Sequence, residues 1–114
     1  MALTIGKRNE GNVEIMSLAG RLVLGEETSG LREQMVAAFD RKSDLLVDLA
    51  GLSYIDSAGL GELVGALASA TSRGRSMKLL RPGRRMADLL QITKLYTTFD
   101  IFEDEAAALA SYGK

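Results

Sequence analysis

The chain has 114 residues, 46% hydrophobic and 25% charged, with a formal net charge of -1. That length closes one hydrophobic core and that balance is too apolar for a disordered chain, so one globular domain over residues 1–114 is expected. Cysteine and histidine do not occur, which excludes disulfides, thiolate nucleophiles, imidazole bases and the usual zinc or iron ligands, and with them most enzyme mechanisms.

The opening residues MALTIGKRNEG lack the apolar core of a signal peptide, and no apolar run approaches the roughly 20 residues that span a bilayer. A cytoplasmic chain without membrane insertion is expected, and the missing cysteine agrees with it. Leu3 to Lys7 and Val13 to Leu18 are rich in branched residues and flank RNEGN, whose asparagines and glycine suit a turn, so a β-hairpin is predicted. Leu31, Met35, Ala38 and Phe39 then recur at helical spacing, with Ser29 as N-cap after the loop GEETSG.

From Asp44 to Leu49, DLLVDL places Leu45, Val47 and Leu49 on one face and Leu46 on the other, as a strand buried on both sides requires. Leu60, Leu63, Val64 and Leu67 mark one stripe of a helix that ends near Gly74. Met77 to Leu80 predicts another buried strand, stopped by Pro82 and Gly83. Arg84 to Gln91 predicts a short helix carrying Met86, Leu89 and Leu90, and Phe99 to Phe102 a last strand. Asp104 opens a final alanine-rich helix with acids in its first turn. The order ββαβαβαβα gives an α/β fold: a mixed sheet covered by helices, with right-handed crossovers in its parallel part.

Charge is unevenly laid out. Between Glu62 and Asp88 no acid occurs, whereas Arg73, Arg75, Lys78, Arg81, Arg84 and Arg85 do. The stretch reads as a solvated face with two loops; with 5% aromatic residues there is little for bases to stack on, and no direct nucleic-acid contact is expected.

The segment YIDSAGLGEL puts Ser57 just beyond the carboxyl end of a buried strand, at the start of a glycine-containing helix. In open α/β sheets that crevice is where ligands sit. The backbone N–H groups of Gly59, Leu60 and Gly61 are expected to point outward there, helped by the helix dipole, so that the site accommodates an anion or a phosphate carried by Ser57 itself. A purely structural role fits the same residues: Ser57, or Asp56 in its place, as N-cap, with Gly59 and Gly61 allowing close packing on the sheet. A nucleophile elbow is excluded, because Ile55 stands at the first glycine position and no histidine exists to act as base. The series Gly59, Gly61, Gly65 resembles a dinucleotide turn, but LLRPGRR stands where an acid would hold a ribose.

The segments DLAGLSYIDSAGLGELVGAL, MKLLRPGRRMADLLQITKL and FDIFEDEAAAL, centred on Asp56-Ser57-Ala58-Gly59-Leu60, resemble the STAS domain of anti-sigma factor antagonists over nearly the whole chain. The resemblance implies a mixed sheet covered by helices and a binding role without catalysis or cofactor. In that role the unphosphorylated domain captures an anti-sigma factor that is itself a serine kinase, which phosphorylates the motif serine; a phosphoserine phosphatase restores it. By resemblance Ser57 is the phosphoacceptor, Asp56, Ala58, Gly59, Leu60 and Gly61 shape the docking surface, and the loop GRLVLGEETSG supplies a second contact region through Leu24, Glu26 and Glu27. The free domain is expected to be a monomer. Members often carry an acid soon after the glycine of the second strand, whereas here Arg21 follows Gly20 and Val23 holds the acidic position. Ala58 replaces a second hydroxyl, which argues against double phosphorylation. Two rival readings are a STAS scaffold subunit of a stress-signalling or lipid-transport complex, working without phosphorylation, and a small nucleotide-binding module built on the glycine turn and the arginines.

Overall fold

The hairpin predicted at the start of the chain opens the sheet. The computed structural model describes residues 3–23 and 26–112, with the backbone alone for 26–29. Strands β1 (Thr4–Glu10) and β2 (Val13–Leu22) pair antiparallel, from Thr4 opposite Ala19 to Glu10 opposite Val13. β1 runs three residues past the predicted Lys7, so the turn is Gly11-Asn12 alone, with Gly11 at φ +61°. Arg8, Asn9 and Glu10 are exposed on an edge strand, and solvent on both sides removes the apolar alternation by which a strand is read.

Strands β3 (Asp44–Ile55), β4 (Met77–Leu80) and β5 (Ile101–Phe102) then add in parallel, giving one sheet in the order β1-β2-β3-β4-β5. Helices α1 (Glu26–Asp40), α2 (Ser57–Ser72) and α3 (Gly83–Ile92) make the three crossovers, and α4 (Glu105–Ala110) follows β5. Each crossover advances one strand in the same direction, so a constant handedness sets all three helices on one face. Their side chains, among them Leu31, Met35, Phe39, Leu60, Leu63, Met86 and Leu90, close the larger core over Met16, Leu18, Val47, Leu49 and Leu79. The opposite face is smaller: Val13, Ile15, Leu46 and Leu80 lie under Ala108 of α4 and Tyr112. The two-sided burial of DLLVDL thus appears as predicted, with Leu45, Val47 and Leu49 in one core and Leu46 in the other.

Other boundaries differ from expectation as well, and β2 runs to Leu22 where Leu18 was predicted. β3 continues six residues beyond Leu49 to Ile55, because β2 pairs with it out to Leu22 opposite Ile55, through register shifts at Ser17/Ala19 and Gly20/Arg21. α1 begins at Glu26, which puts Ser29 inside the helix and not at its N-cap; Glu26 and Glu27 are the favoured sign of charge at its first turn. β5 is shorter than Phe99 to Phe102, since Phe99, though buried, lies outside the ladder.

Ion pairs at the surface account for most of the basic stretch. Arg73 meets Asp40 at 3.0 Å, Arg75 meets Asp44 at 3.3 Å and Arg81 meets Asp48 at 3.0 Å. These arginines therefore fasten helix and strand ends. Among the described residues, no helix is long and apolar enough to cross a membrane and no cluster of acidic side chains is built to hold a metal ion.

Candidate functional site

The site is the corner where β3 becomes α2. Asp56 keeps an extended backbone, φ -110° and ψ -177°, and its N–H donates to the Leu22 carbonyl at 3.3 Å. Its Oδ1 accepts the Gly59 N–H at 2.8 Å, and its carbonyl accepts the Leu60 N–H at 2.9 Å. Asp56 is thus the N-cap of α2, and Ser57 is the first helical residue with an exposed side chain. The capping role that would have explained Ser57 structurally is filled by its neighbour.

This corrects the expected anion cradle. The Gly59 amide is taken by the Asp56 carboxylate, the Leu60 amide makes the first helical bond, and Gly61 lies one residue deeper in the helix. The amides left open at the helix start are those of Ser57 and Ala58, which have no partner among the described residues.

The motif residues divide by burial. Ser57, Ala58 and Gly61 are exposed, and Asp56 is half-buried. Gly59 and Leu60 are buried, Leu60 within the larger core, so these two support the corner from beneath and present no surface of their own. Gly59 is dictated by packing: a Cβ there would stand 2.2 Å from the Leu22 carbonyl oxygen. Gly61 is not, since a Cβ there would meet nothing within 4 Å. Four residues after Ser57 on the same side of the helix, it keeps the ledge beside the hydroxyl flat.

Register brings the second predicted region to the same end of the sheet. Leu22 and Ile55 are partners at the carboxyl ends of the parallel strands β2 and β3, so Val23 and the corner at Asp56 follow neighbouring strand ends. Glu26 and Glu27 start α1 there, and Val23 is half-buried. Leu24 lies outside the described residues. Farther along, the Arg32 guanidinium lies across Gly65 of α2 and its Nε is 3.2 Å from Glu62 Oε1, a pair that ties α1 to α2.

A feature not read from the sequence borders this corner. Tyr54 carries the Arg85 guanidinium 3.9 Å from its ring centroid and the Arg21 guanidinium at 5.0 Å. Arg85 Nε also donates to the Ile55 carbonyl at 3.3 Å. Arg21 was visible only as a break in a pattern and Arg85 only as part of a basic run. Their meeting depends on the pairing of Arg21 with Tyr54 across the Gly20/Arg21 irregularity, which no local signal carries.

A family sequence profile described as "Mlab, STAS domain" matches residues 5–101. The chain belongs to the STAS domain family. The anti-sigma-B factor antagonist of Bacillus subtilis (strain 168) is 34% identical over 95 residues, covering 83% of this chain and 85% of that protein. Among solved structures, an anti-sigma-factor antagonist (STAS) domain protein from Planctomyces limnophilus superposes with a TM-score of 0.80 at 19% identity, over 94% of this chain and 96% of that one. The phosphorylated form of the Bacillus cell fate determinant SpoIIAA superposes with a TM-score of 0.73 at 18% identity, over 94% and 97% of the two chains. These likenesses bear out the mixed α/β fold and its order ββαβαβαβα, and the relatives are named for antagonism, an act of binding, and not for a reaction. The nucleotide-module reading loses its geometry in this STAS domain: the Gly59 amide is occupied, and Arg81, which would have met phosphate with Arg84, is engaged by Asp48.

Proposed function

We propose that this STAS domain is an anti-sigma factor antagonist whose docking face is centred on Ser57 and is switched off by phosphorylation of that hydroxyl. The observation that carries the reading is the division of labour at the corner: Asp56 caps α2, so the Ser57 side chain stands exposed without a capping duty. The names of the relatives support the antagonist role. In this reading the unmodified domain binds an anti-sigma factor serine kinase in the cytoplasm through Asp56, Ser57, Ala58 and Gly61, over the support of Gly59 and Leu60, with Leu24, Glu26 and Glu27 as the adjoining region. A phosphoserine phosphatase resets it.

The switch needs no catalytic group on this chain. A phosphate adds about 1.5 to 2 negative charges to a surface that must lose water on docking, next to the carboxylate of Asp56. The positive end of α2 and the open amides of Ser57 and Ala58 tolerate that charge in the free domain, so the cost falls on the complex. A penalty of ~3 kcal/mol lowers affinity by about two powers of ten.

The test is incubation with ATP and the anti-sigma serine kinase of the same organism, followed by intact-mass measurement. One added phosphate on the native chain and none on Ser57→Ala is expected. A phosphate on Ser57→Ala overturns the assignment of the residue. Tight association of both chains without any phosphate transfer favours the scaffold-subunit reading.

A further inference from the structure

The arginines of the chain fall into two groups. Arg8, Arg32, Arg41, Arg73, Arg75 and Arg81 each meet a carboxylate. Arg21, Arg84 and Arg85 meet none among the described residues, and all three are exposed at the same end of the molecule. Arg21 is the penultimate residue of β2, while Arg84 and Arg85 stand in the first turn of α3, where the helix dipole disfavours cations and no side chain caps the helix. Both arginines run against the dipole of their own helix without an ion pair among the described residues: Arg85 is held instead by the Tyr54 ring and the Ile55 carbonyl, whereas Arg84 has neither.

Their setting is ordered. Arg85 is held over Tyr54 and tied to the Ile55 carbonyl, and Arg21 faces the same ring. Beside them, Ile55, Leu89 and Ile92 line an open groove at α3 together with Arg84, Arg85 and Asp88. The inner face of α3, Met86 and Leu90, is buried. Arg85, Leu89 and Ile92 share a different side at helical spacing, and Ile92 is 77% exposed, the most open large apolar side chain described. Ile55 leads directly through Asp56 into Ser57, so groove and corner are continuous.

We propose that this groove docks an acidic amphipathic segment of the protein that engages Ser57, with an apolar side chain over Leu89 and Ile92 and carboxylates on Arg21, Arg84 and Arg85. The inference rests on the reading above for the identity of that protein. A protein segment fits better than a free anion because arginines and apolar side chains line the same groove, and Asp88 among them rejects a carboxylate placed beside it. The arrangement also gives phosphorylation a target: an acidic docking segment is repelled by a dianion on Ser57.

The experiment uses the full chain, nitrogen-15 labelled, and three synthetic helical peptides with the same leucine and isoleucine stripe, flanked by glutamate, glutamine or lysine. The glutamate peptide is expected to bind about ten-fold more tightly than the glutamine peptide, to weaken as salt is raised, and to shift the amides of Arg21, Tyr54, Arg85, Leu89 and Ile92. Arg84→Glu, at a side chain that makes no hydrogen bond or ion pair among the described residues, is expected to weaken it about ten-fold with the amide spectrum otherwise unchanged. Arg84→Glu with Arg85→Glu turns the preference toward the lysine peptide. Equal binding of the glutamate and glutamine peptides, shifts confined to the far end around Asp40 and Arg73, or indifference to Arg84→Glu overturns the proposal. Phosphate transfer to Ser57 is read separately: a chain that takes phosphate yet ignores the peptides loses the groove and keeps the switch. A chain that binds the glutamate peptide in the groove but takes no phosphate loses the switch and keeps the groove.

Discussion

Asp56 and Gly59 are joined by a 2.8 Å hydrogen bond from the glycine amide to the aspartate Oδ1, and this bond leaves the intervening Ser57 on the surface. Asp56→Ala removes the cap of α2 and is expected to cost about 1 kcal/mol of stability. Ser57→Ala, at an exposed first helical position, is expected to stay within about 0.5 kcal/mol of the native chain. Urea denaturation midpoints check both. Equal losses for the two variants would mean that the serine shares the capping, which removes the main support for its functional role.

The two motif glycines are expected to respond oppositely. A methyl group at Gly59 would press on the backbone of Leu22, with its Cβ 2.2 Å from the carbonyl oxygen, so Gly59→Ala is expected to destabilise by about 1–3 kcal/mol. Gly61→Ala meets open space in a helix interior and is expected to stabilise by up to about 1 kcal/mol. The same methyl group stands on the ledge of Ser57 and is expected to weaken kinase binding while the fold gains. Thermal unfolding read beside an affinity measurement separates the two effects; a Gly61→Ala chain that is more stable and binds equally well would show that the ledge is not part of the contact.

Tyr112 offers a pH test of the smaller core. Its Oη donates to the Leu45 carbonyl at 2.7 Å, and burial raises the phenol pKa above its ordinary value. The folded state holds this proton more tightly than the unfolded chain, so the stability it supplies is complete below pH ~10 and declines as pH rises past it. Tyr112→Phe is expected to cost about 1 kcal/mol near neutrality and to flatten that alkaline decline. Unchanged loss of stability above pH ~10 in the Phe variant would assign the decline to other groups.

Sequence patterning carried the element order because each buried strand and helix face has its own period: DLLVDL alternates between two cores, and Leu31, Met35, Ala38 and Phe39 line one side of α1. It failed where pairing overrides local preference. The segment AGLSY has no strand signal, yet β2 holds it in the sheet as far as Ile55. Asp56 and Ser57 are both good caps by type, and the choice between them is made by the Asp56 N–H bond to Leu22, a contact far away in sequence. The Arg21, Tyr54 and Arg85 cluster joins three elements and was out of reach for the same reason. The spacing did mark Leu60 as apolar and periodic, and its burial moves it from the surface of the motif to its support.

The most direct measurement is calorimetric titration of the anti-sigma serine kinase with two preparations of this chain, one unmodified and one carrying a single phosphate on Ser57, at the same salt concentration. The account predicts binding of the unmodified chain and an affinity about 100-fold lower for the phosphorylated one, with both preparations equally stable to heat. Equal affinities, or a phosphorylated chain that binds less only because it has unfolded, would contradict it.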